Sequence, residues 1–425
     1  MEENDDLAPH ICFSGAEDIQ FYGTGGFHPV HIGEKFDHNR YEIVHKLGYG
    51  ASGTVWLALD HTDHRFVALK ILAADLFDRT WEINALEALA AGGQDHPGRR
   101  AVPKLLKRFD IQGPNGHHHC LVLEVAGCNL IQSMRVRAPW QFPLDVARAM
   151  VGEFIQGLDY IHSCGVVHGD MYLKNFLLFS PVFEKESADV EELYNHVGTP
   201  ITVPVRRANG IINLPSAPFY SPNVPQYCVP PIEVYRPADS VMNARIIIND
   251  FSRSFPQRER HAVRTPIRFL APETMFEGAS GQPADVWGLA CSIFEILGDF
   301  HLFPVYGDDW DELIMMMIRT IGWIPDDWWN RWTTKGEYFR DDGTFIRPTR
   351  FFPTRFWVGL GVRLVTMRTG PHPGQVAFGR EEIDALEDML RGMMRYRAWH
   401  RSTASEAAAS RWMQEWSRVG YFNGH

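Results

Sequence analysis

Asp170 and Asn175 stand five positions apart in the run Val166-Val167-His168-Gly169-Asp170-Met171-Tyr172-Leu173-Lys174-Asn175. A helical apolar pattern precedes the run, and the apolar stretch Phe176-Leu177-Leu178, which reads as a strand, follows it. A carboxylate held in such a loop can take the proton of an attacking hydroxyl, and an amide on the same loop can ligate a metal ion. That pairing suits phosphoryl transfer, where most of the rate comes from positioning and charge neutralisation. A His-x-Asp run arises in many loops, so its weight depends on what accompanies it.

Three stretches do accompany it. Gly48-Tyr49-Gly50-Ala51-Ser52-Gly53-Thr54-Val55 reads G-x-G-x-x-G-x-V. Such glycines let backbone N–H groups close over phosphates, although a tight hairpin would also need them. The run lies between two strand patterns, which disfavours a strand-to-helix dinucleotide site. In the next strand, Val67-Ala68-Leu69-Lys70 places small Ala68 where a purine could slide in and Lys70 where it could meet phosphate. A buried lysine needs a carboxylate. Glu82 on the following helix is the first candidate and Glu87 the second. Ile246-Ile247-Ile248-Asn249-Asp250-Phe251-Ser252 is an apolar strand ending in a carboxylate suited to magnesium.

Strands are expected near residues 41–47, 54–60, 65–71, 105–111 and 119–124, each short and bounded by turn residues. A helix is expected at 77–91, where Ile83, Leu86 and Leu89 recur at helical spacing before Gly92-Gly93. From Leu144 the pattern turns helical, with Val146, Met150, Phe154, Leu158 and Ile161 on one face and Gly165 closing it. Further helices are expected at 285–297, 310–320 and 381–395. A mostly β part thus precedes a mostly α part, with the boundary near Gly127. The proline-rich, irregular stretch 180–245 reads as an insertion packing, at least in part, across the second part. His117-His118-His119 reads as a turn beside a strand rather than a metal site.

With 425 residues, 45% of them hydrophobic, the chain can bury two cores. A net charge of -11 argues against nucleic acid or an anionic membrane as the main partner. No apolar run approaches the roughly 20 residues of a membrane span, and the acidic start is unlike a signal peptide. Six scattered cysteines without a CxxC pair read as reduced structural thiols, pointing to the cytoplasm or nucleus.

From about residue 41 to 412, these stretches resemble, in order, the motif set of eukaryotic protein kinases: glycine loop, V-A-I-K, H-R-D-x-x-x-x-N and D-F-G. Ala271-Pro272-Glu273 resembles A-P-E, Asp285 the aspartate that braces the catalytic loop, and Arg401 the late arginine that pairs with Glu273. The likeness is to the SR-protein kinases and their fungal relatives. It rests on Gly25-Gly26-Phe27-His28-Pro29-Val30 with Gly33, on Lys46-Leu47-Gly48-Tyr49-Gly50 and on Thr54-Val55-Trp56-Leu57. Asn115 to Val125, Gln156 to His162 and the place of the insertion add to it.

The resemblance implies an α+β, two-lobed protein kinase fold. A small, mostly antiparallel β lobe with one main helix would span 41–126, and a large, mostly α-helical lobe 127–420, with the insertion at 180–245. Residues 1–18 would be a disordered acidic terminus and 19–40 an extension on the small lobe. The implied activity is a serine/threonine kinase moving the γ-phosphate of ATP to protein hydroxyls, with Mg2+. Asp170 would be the base, Lys70 with Glu82 would serve the phosphates, and Asn175 and Asp250 would hold metal. Gly48, Gly50 and Gly53 would cover the phosphates, while Leu47, Val55, Ala68, Leu123, Glu124, Ala126 and Leu177 would surround the adenine. The implied partner is a protein substrate, basic or Arg-Ser-rich, met by a monomer without nucleic acid or membrane.

Four departures qualify this picture. Gly169 stands for the arginine that holds a phosphorylated activation loop, and Tyr172 for the lysine that steadies the transferred phosphate. Lys174 could bring that charge from another side. Ser252 replaces the D-F-G glycine, and Pro266 takes the place of the threonine that bonds the catalytic loop. Two other readings stay open: a pseudokinase that binds nucleotide or partners without turnover, and a small-molecule phosphotransferase, because His168-Gly169-Asp170 with Asn175 also resembles aminoglycoside and choline kinase relatives.

Overall fold

Strand-forming runs rich in Val, Ile, Leu and aromatic residues assemble the first of two units, which comprises Met1–Ala90, Pro103–Cys128 and Phe179–Tyr235. The second comprises Ala91–Val102, Asn129–Leu178 and Arg236–His425. The computed structural model describes residues 10–12, 15–76, 81–136, 140–183, 187–207, 210–217, 220–241, 245–261, 265–278, 281–298, 301–305, 307–346, 358–368 and 377–417. Elements are numbered along the chain.

In the first unit β2 (Lys35–Phe36), β3 (Tyr41–Gly50), β4 (Gly53–Asp60), β5 (Arg65–Leu72), β6 (Leu105–Gly113) and β7 (Gly116–Leu123) form one antiparallel sheet. Its order is β2-β3-β4-β5-β7-β6. Edge strand β6 is partly exposed along its length, whereas central β5 is buried from Phe66 onward. Helix α1 (Trp81–Ala91) buries Glu82, Ile83, Ala85, Leu86 and Leu89. The expected start of this helix, residues 77–80, lies outside the described residues. His118 and His119 fall within β7 rather than in a turn: His118 Nδ1 meets the Leu72 carbonyl at 2.8 Å and His119 Nδ1 meets Asp110 at 2.6 Å.

The insertion does not join the large lobe as expected. Residues 179–235 belong to the first unit, and residues 236–245 to the second. In the first unit they include α4 (Val190–Val197), β10 (Val203–Pro204), β11 (Arg206–Arg207) and β12 (Tyr227–Cys228). Strand β1 (His10–Ile11) pairs with β11, and β10 with β12. Val205, Val224 and Cys228 pack with Ile19, Tyr22, Phe27 and Ala73, while Val229 enters the sheet's own core beside Ile43, Trp56 and Val67. Burial of these apolar groups is what fixes the segment here. Asn115, in the β6–β7 turn, clamps it by donating to the Phe27 and Asn223 carbonyls at 2.6 and 2.8 Å.

Two further expectations are corrected. Residues 1–9 and 13–14 of the expected disordered terminus lie outside the described residues. The rest is built into the unit: Glu17, 3% exposed, accepts hydrogen bonds from Tyr22 Oη and Lys46 Nζ. Burial pushes the Lys46 ammonium pKa down, and Glu17 opposes that push. Residues 91–102, expected in the small lobe, belong to the second unit. There Arg99 donates to Tyr160 Oη at 2.7 Å and the Arg100 guanidinium grips Glu153, side chains projecting from one helix.

That helix, α3 (Leu144–Ser163), is preceded by α2 (Leu130–Arg135). Its apolar residues at helical spacing are fully buried, and Gly165 follows it at φ +73°. Strands β8 (Val166–Val167) and β14 (Phe255–Pro256) pair, as do β9 (Phe176–Leu178) and β13 (Ile246–Ile248). The remaining helices are α5 (Pro272–Glu277), α6 (Gln282–Leu297), α7 (Trp310–Ile321), α8 (Asp326–Arg331), α9 (Leu360–Thr366), α10 (Arg380–Met393), α11 (Ala404–Ala408) and α12 (Arg411–Glu415). Arg401 makes a bidentate bond to Glu273, two contacts of 2.7 Å, with both side chains buried.

Candidate active site

In the first unit β5 carries Ala68 opposite Leu123 and Lys70 opposite Leu121 on β7. Lys70 Nζ donates to Glu82 Oε1 at 2.6 Å, and both residues are buried. Glu87 instead faces outward, 3.4 Å from Arg108. The glycine loop forms the β3–β4 turn, with Gly50 opposite Gly53. Gly53 is demanded by the protein itself: at φ +154°, a Cβ there would lie 2.1 Å from the Ile71 carbonyl oxygen. Gly48 and Gly50 face open space, where no atom of the described residues would meet a Cβ. The hairpin's own packing therefore does not account for these two glycines. Leu47, Val55, Glu124 and Ala126 are half-buried, while Ala68 and Leu123 are buried.

In the second unit the β9–β13 pairing brings two loops together, and Asn249 N–H donates to the Asn175 carbonyl at 2.7 Å. Half-buried Leu177 lies on β9, opposite Ile247. Asn175 Nδ2 donates to the Asp170 carbonyl at 2.8 Å and to Asp170 Oδ2 at 3.1 Å. This orients the amide so that its Oδ1 remains for a cation. Asp250 sits in the left-handed region at φ +66° and its Oδ1 accepts from Ser252 N–H at 3.3 Å. A non-glycine residue held there stores roughly 1–3 kcal/mol of strain, a pattern found at functional sites. Ser252 lies in a 3-10 turn, Phe251–Arg253.

Asp170 is 7% exposed, and its Oδ1 is buried without a hydrogen-bond partner among the described residues. Burial pushes its carboxyl pKa up and Asp250 adds to that, while His168, Arg253 and Asn175 pull it down. Fully buried His168 fixes the loop: its Nδ1 accepts from Asp170 N–H at 3.2 Å and its Nε2 meets the Asn249 carbonyl at 3.0 Å. From α6, Asp285 accepts from the backbone N–H of His168 at 2.7 Å and of Gly169 at 2.8 Å.

Tyr172 is half-buried, with its ring 5.5 Å from Phe269 and its hydroxyl pushed up to about 12 by burial, Asp170 and Asp250. It brings no positive charge. Lys174 is exposed on the Leu173–Asn175 turn. Sequence reasoning missed two groups. Thr265, not the position of Pro266, bonds the loop, donating to the Gly169 carbonyl at 3.4 Å. Arg253 Nε stands 3.8 Å from Asp170 Oδ2. The signal for the first was a one-residue shift; for the second it was the arginine directly after Asp250-Phe251-Ser252.

A model of the protein kinase domain matches residues 41–183. The serine/threonine-protein kinase SRPK of Physarum polycephalum is 28% identical over 417 residues, covering 94% of this chain and 91% of that one. The chain is thus similar, along most of its length, to serine/threonine protein kinases of the SR-protein-kinase-like group. Protein kinase dsk1 of Schizosaccharomyces pombe is 38% identical over 166 residues, 38% of this chain. SRSF protein kinase 3 of Homo sapiens is 38% identical over 167 residues. Those two matches span 30% and 29% of the relatives' own lengths. The fold is accordingly the two-lobed protein kinase fold, with the antiparallel sheet in the first unit and the helices concentrated in the second.

Magnesium suits this chemistry, because it takes few protein ligands and completes its shell with phosphate and water. The oxygens of Asn175 and Asp250 are of the right kind. Among the described residues no group of three or more His, Cys, Asp or Glu is gathered as a cage for a metal.

Proposed function

We propose that this kinase phosphorylates serine or threonine in basic, Arg-Ser-rich protein segments, with Asp170 as its base. The observation that carries the reading is the Asp170 carboxylate, with Oδ2 tied to Asn175 and a buried, unpartnered Oδ1. In the step, the substrate hydroxyl oxygen bonds to the γ-phosphorus of ATP. The bond from that phosphorus to the β–γ bridging oxygen breaks, ADP leaves with its electron pair, and the hydroxyl proton passes to Asp170 Oδ1. Lys70, held by Glu82, neutralises the α- and β-phosphates. Gly48 and Gly50 let backbone N–H groups close over them. Leu47, Val55, Ala68, Leu123, Glu124, Ala126 and Leu177 receive the adenine, and Gly53 keeps the hairpin tight. Magnesium bound by Asn175 and Asp250 would offset charge on the β- and γ-phosphates. Lys174, exposed on the same turn as Asn175, is one candidate for a positive charge near the transferred phosphate.

The net charge of -11 favours a basic substrate over nucleic acid. Among the described residues no helix is long and apolar enough to cross a membrane. We assign the chain to the cytoplasm or nucleus, acting as a monomer. The test is turnover of ATP by the purified, unphosphorylated chain with an Arg-Ser repeat peptide and a generic basic serine peptide, beside Asp170→Asn. Transfer that prefers the Arg-Ser peptide and is lost in Asp170→Asn is expected. No transfer to either peptide would reject the reading.

A further inference from the structure

Phosphoryl transfer spreads negative charge over the equatorial oxygens, and a cation beside the base ordinarily meets it. Two residues after Asp170 this chain carries Tyr172, which is neutral and turned to Phe269. The need is unmet at that position. We propose that Arg253 supplies this cation, standing beside Asp170 and reaching the transferred phosphoryl group. The inference rests on the reading of Asp170 as the base.

Geometry carries the assignment. Arg253 Nε is 3.8 Å from Asp170 Oδ2, close enough for an ion pair yet not locked into a bidentate grip. Its side chain is 41% exposed, so the pair stands at the surface of the site rather than sealed within it. The backbone is held on both sides. Upstream, the Asp250 carboxylate caps the Phe251–Arg253 turn. Immediately downstream, Ser254 is fully buried with its Oγ bonded to the Phe251 carbonyl at 2.7 Å, and Phe255 pairs with Val167. The carbonyl of Arg253 passes over Gly169, where a Cβ would lie 2.5 Å from it. The missing side chain at Gly169 is therefore what lets residue 253 come this close. Loss of a cation next to the base and gain of one from the neighbouring loop are two sides of one arrangement. A guanidinium also spreads its donors in a planar fork that matches phosphate oxygens. Lys174 is exposed on the Leu173–Asn175 turn, whereas Arg253 stands at the carboxylate itself.

The test is steady-state kinetics with ATP and an Arg-Ser repeat peptide on Arg253→Ala, Arg253→Lys and Lys174→Ala, with thermal unfolding of each. Arg253→Ala is expected to lower kcat by about 10- to 1,000-fold while KM for ATP moves by less than about threefold. Arg253→Lys should recover part of the loss, and so should guanidinium ion added at millimolar concentration to Arg253→Ala. An Arg253→Ala enzyme with wild-type kcat overturns the proposal. So does a larger loss in Lys174→Ala, or a loss that neither lysine nor guanidinium relieves, which would mark a structural role. A wild-type enzyme that transfers no phosphate would instead bring down the reading of Asp170, and this proposal with it.

Discussion

The carbonyl oxygen of Arg253 occupies the space into which a side chain on Gly169 would have to grow, 2.5 Å from the ideal Cβ position. Gly169 also has φ +79°, a left-handed backbone that side chains resist. Restoring the usual arginine beside the base is thus expected to harm the enzyme, not to improve it. Gly169→Arg should lose at least about 1–2 kcal/mol from the backbone alone, plus the clash, and kcat should fall with it. Chemical denaturation and kinetics together check this; a Gly169→Arg enzyme of wild-type stability and rate would contradict it.

Lys70→Met should abolish transfer while the protein stays folded. The Lys70–Glu82 pair is buried, so removing the ammonium leaves a carboxylate that can take up a proton rather than remain charged. A rate loss of about 100-fold or more is expected, with circular dichroism unchanged. Full activity in the folded variant would remove Lys70 from the site.

Asn213 is the hub of the inserted segment. Its Nδ2 donates to the Ser221 and Val224 carbonyls at 3.0 Å each, and its Oδ1 accepts from Ser221 N–H at 2.9 Å. Asn213→Ala should leave buried backbone groups unsatisfied, at about 1–3 kcal/mol each. Limited proteolysis should then cut residues 201–235 readily in the variant and slowly in the wild type. Equal, rapid cutting of both would show that the packing seen here does not protect the segment.

Acid should weaken the small unit through His28. Burial is the main cause that lowers its pKa to about 4 from 6.5, His118 and His31 add to the lowering, and Glu34 opposes it. The native state thus holds His28 neutral between about pH 6.5 and 4, where the unfolded chain binds the proton. Stability is fully present above pH 6.5 and is lost as pH falls toward 4. From His28 alone, a loss of about 2 kcal/mol is expected between pH 7.5 and 5. Denaturant midpoints across that range should fall for the wild type and fall less for His28→Gln. Equal slopes would rule His28 out as the cause.

Arg401 and Glu273 bond to each other inside the second unit, where breaking one partner strands a buried charge. Arg401→Met should cost about 3–5 kcal/mol, and Glu273→Leu added to it should return much of that loss. Denaturant unfolding of the single and double variants measures both; a double variant no better than the single would show that the pair is not the reason for the loss.

Groups set by their own stretch of chain were legible in the sequence. The glycine hairpin, the Val-Ala-Leu-Lys strand, the Asp170–Asn175 loop and the strand ending at Asp250 each follow from local alternation and turn chemistry. Their order then suffices to suggest the fold. Other features are decided where distant surfaces meet. Both Glu82 and Glu87 lie on one helix, and burial against the sheet chooses Glu82. The insertion reads as irregular proline-rich chain, yet Val205 and Val229 find apolar sites on the small unit that its own sequence does not reveal. Thr265 and Arg253 reach the Asp170 loop from stretches far along the chain. Hydrophobic burial is non-directional, so composition tells which side chains seek cover but not which partner provides it. That choice, and with it the charge beside Asp170, belongs to the tertiary structure.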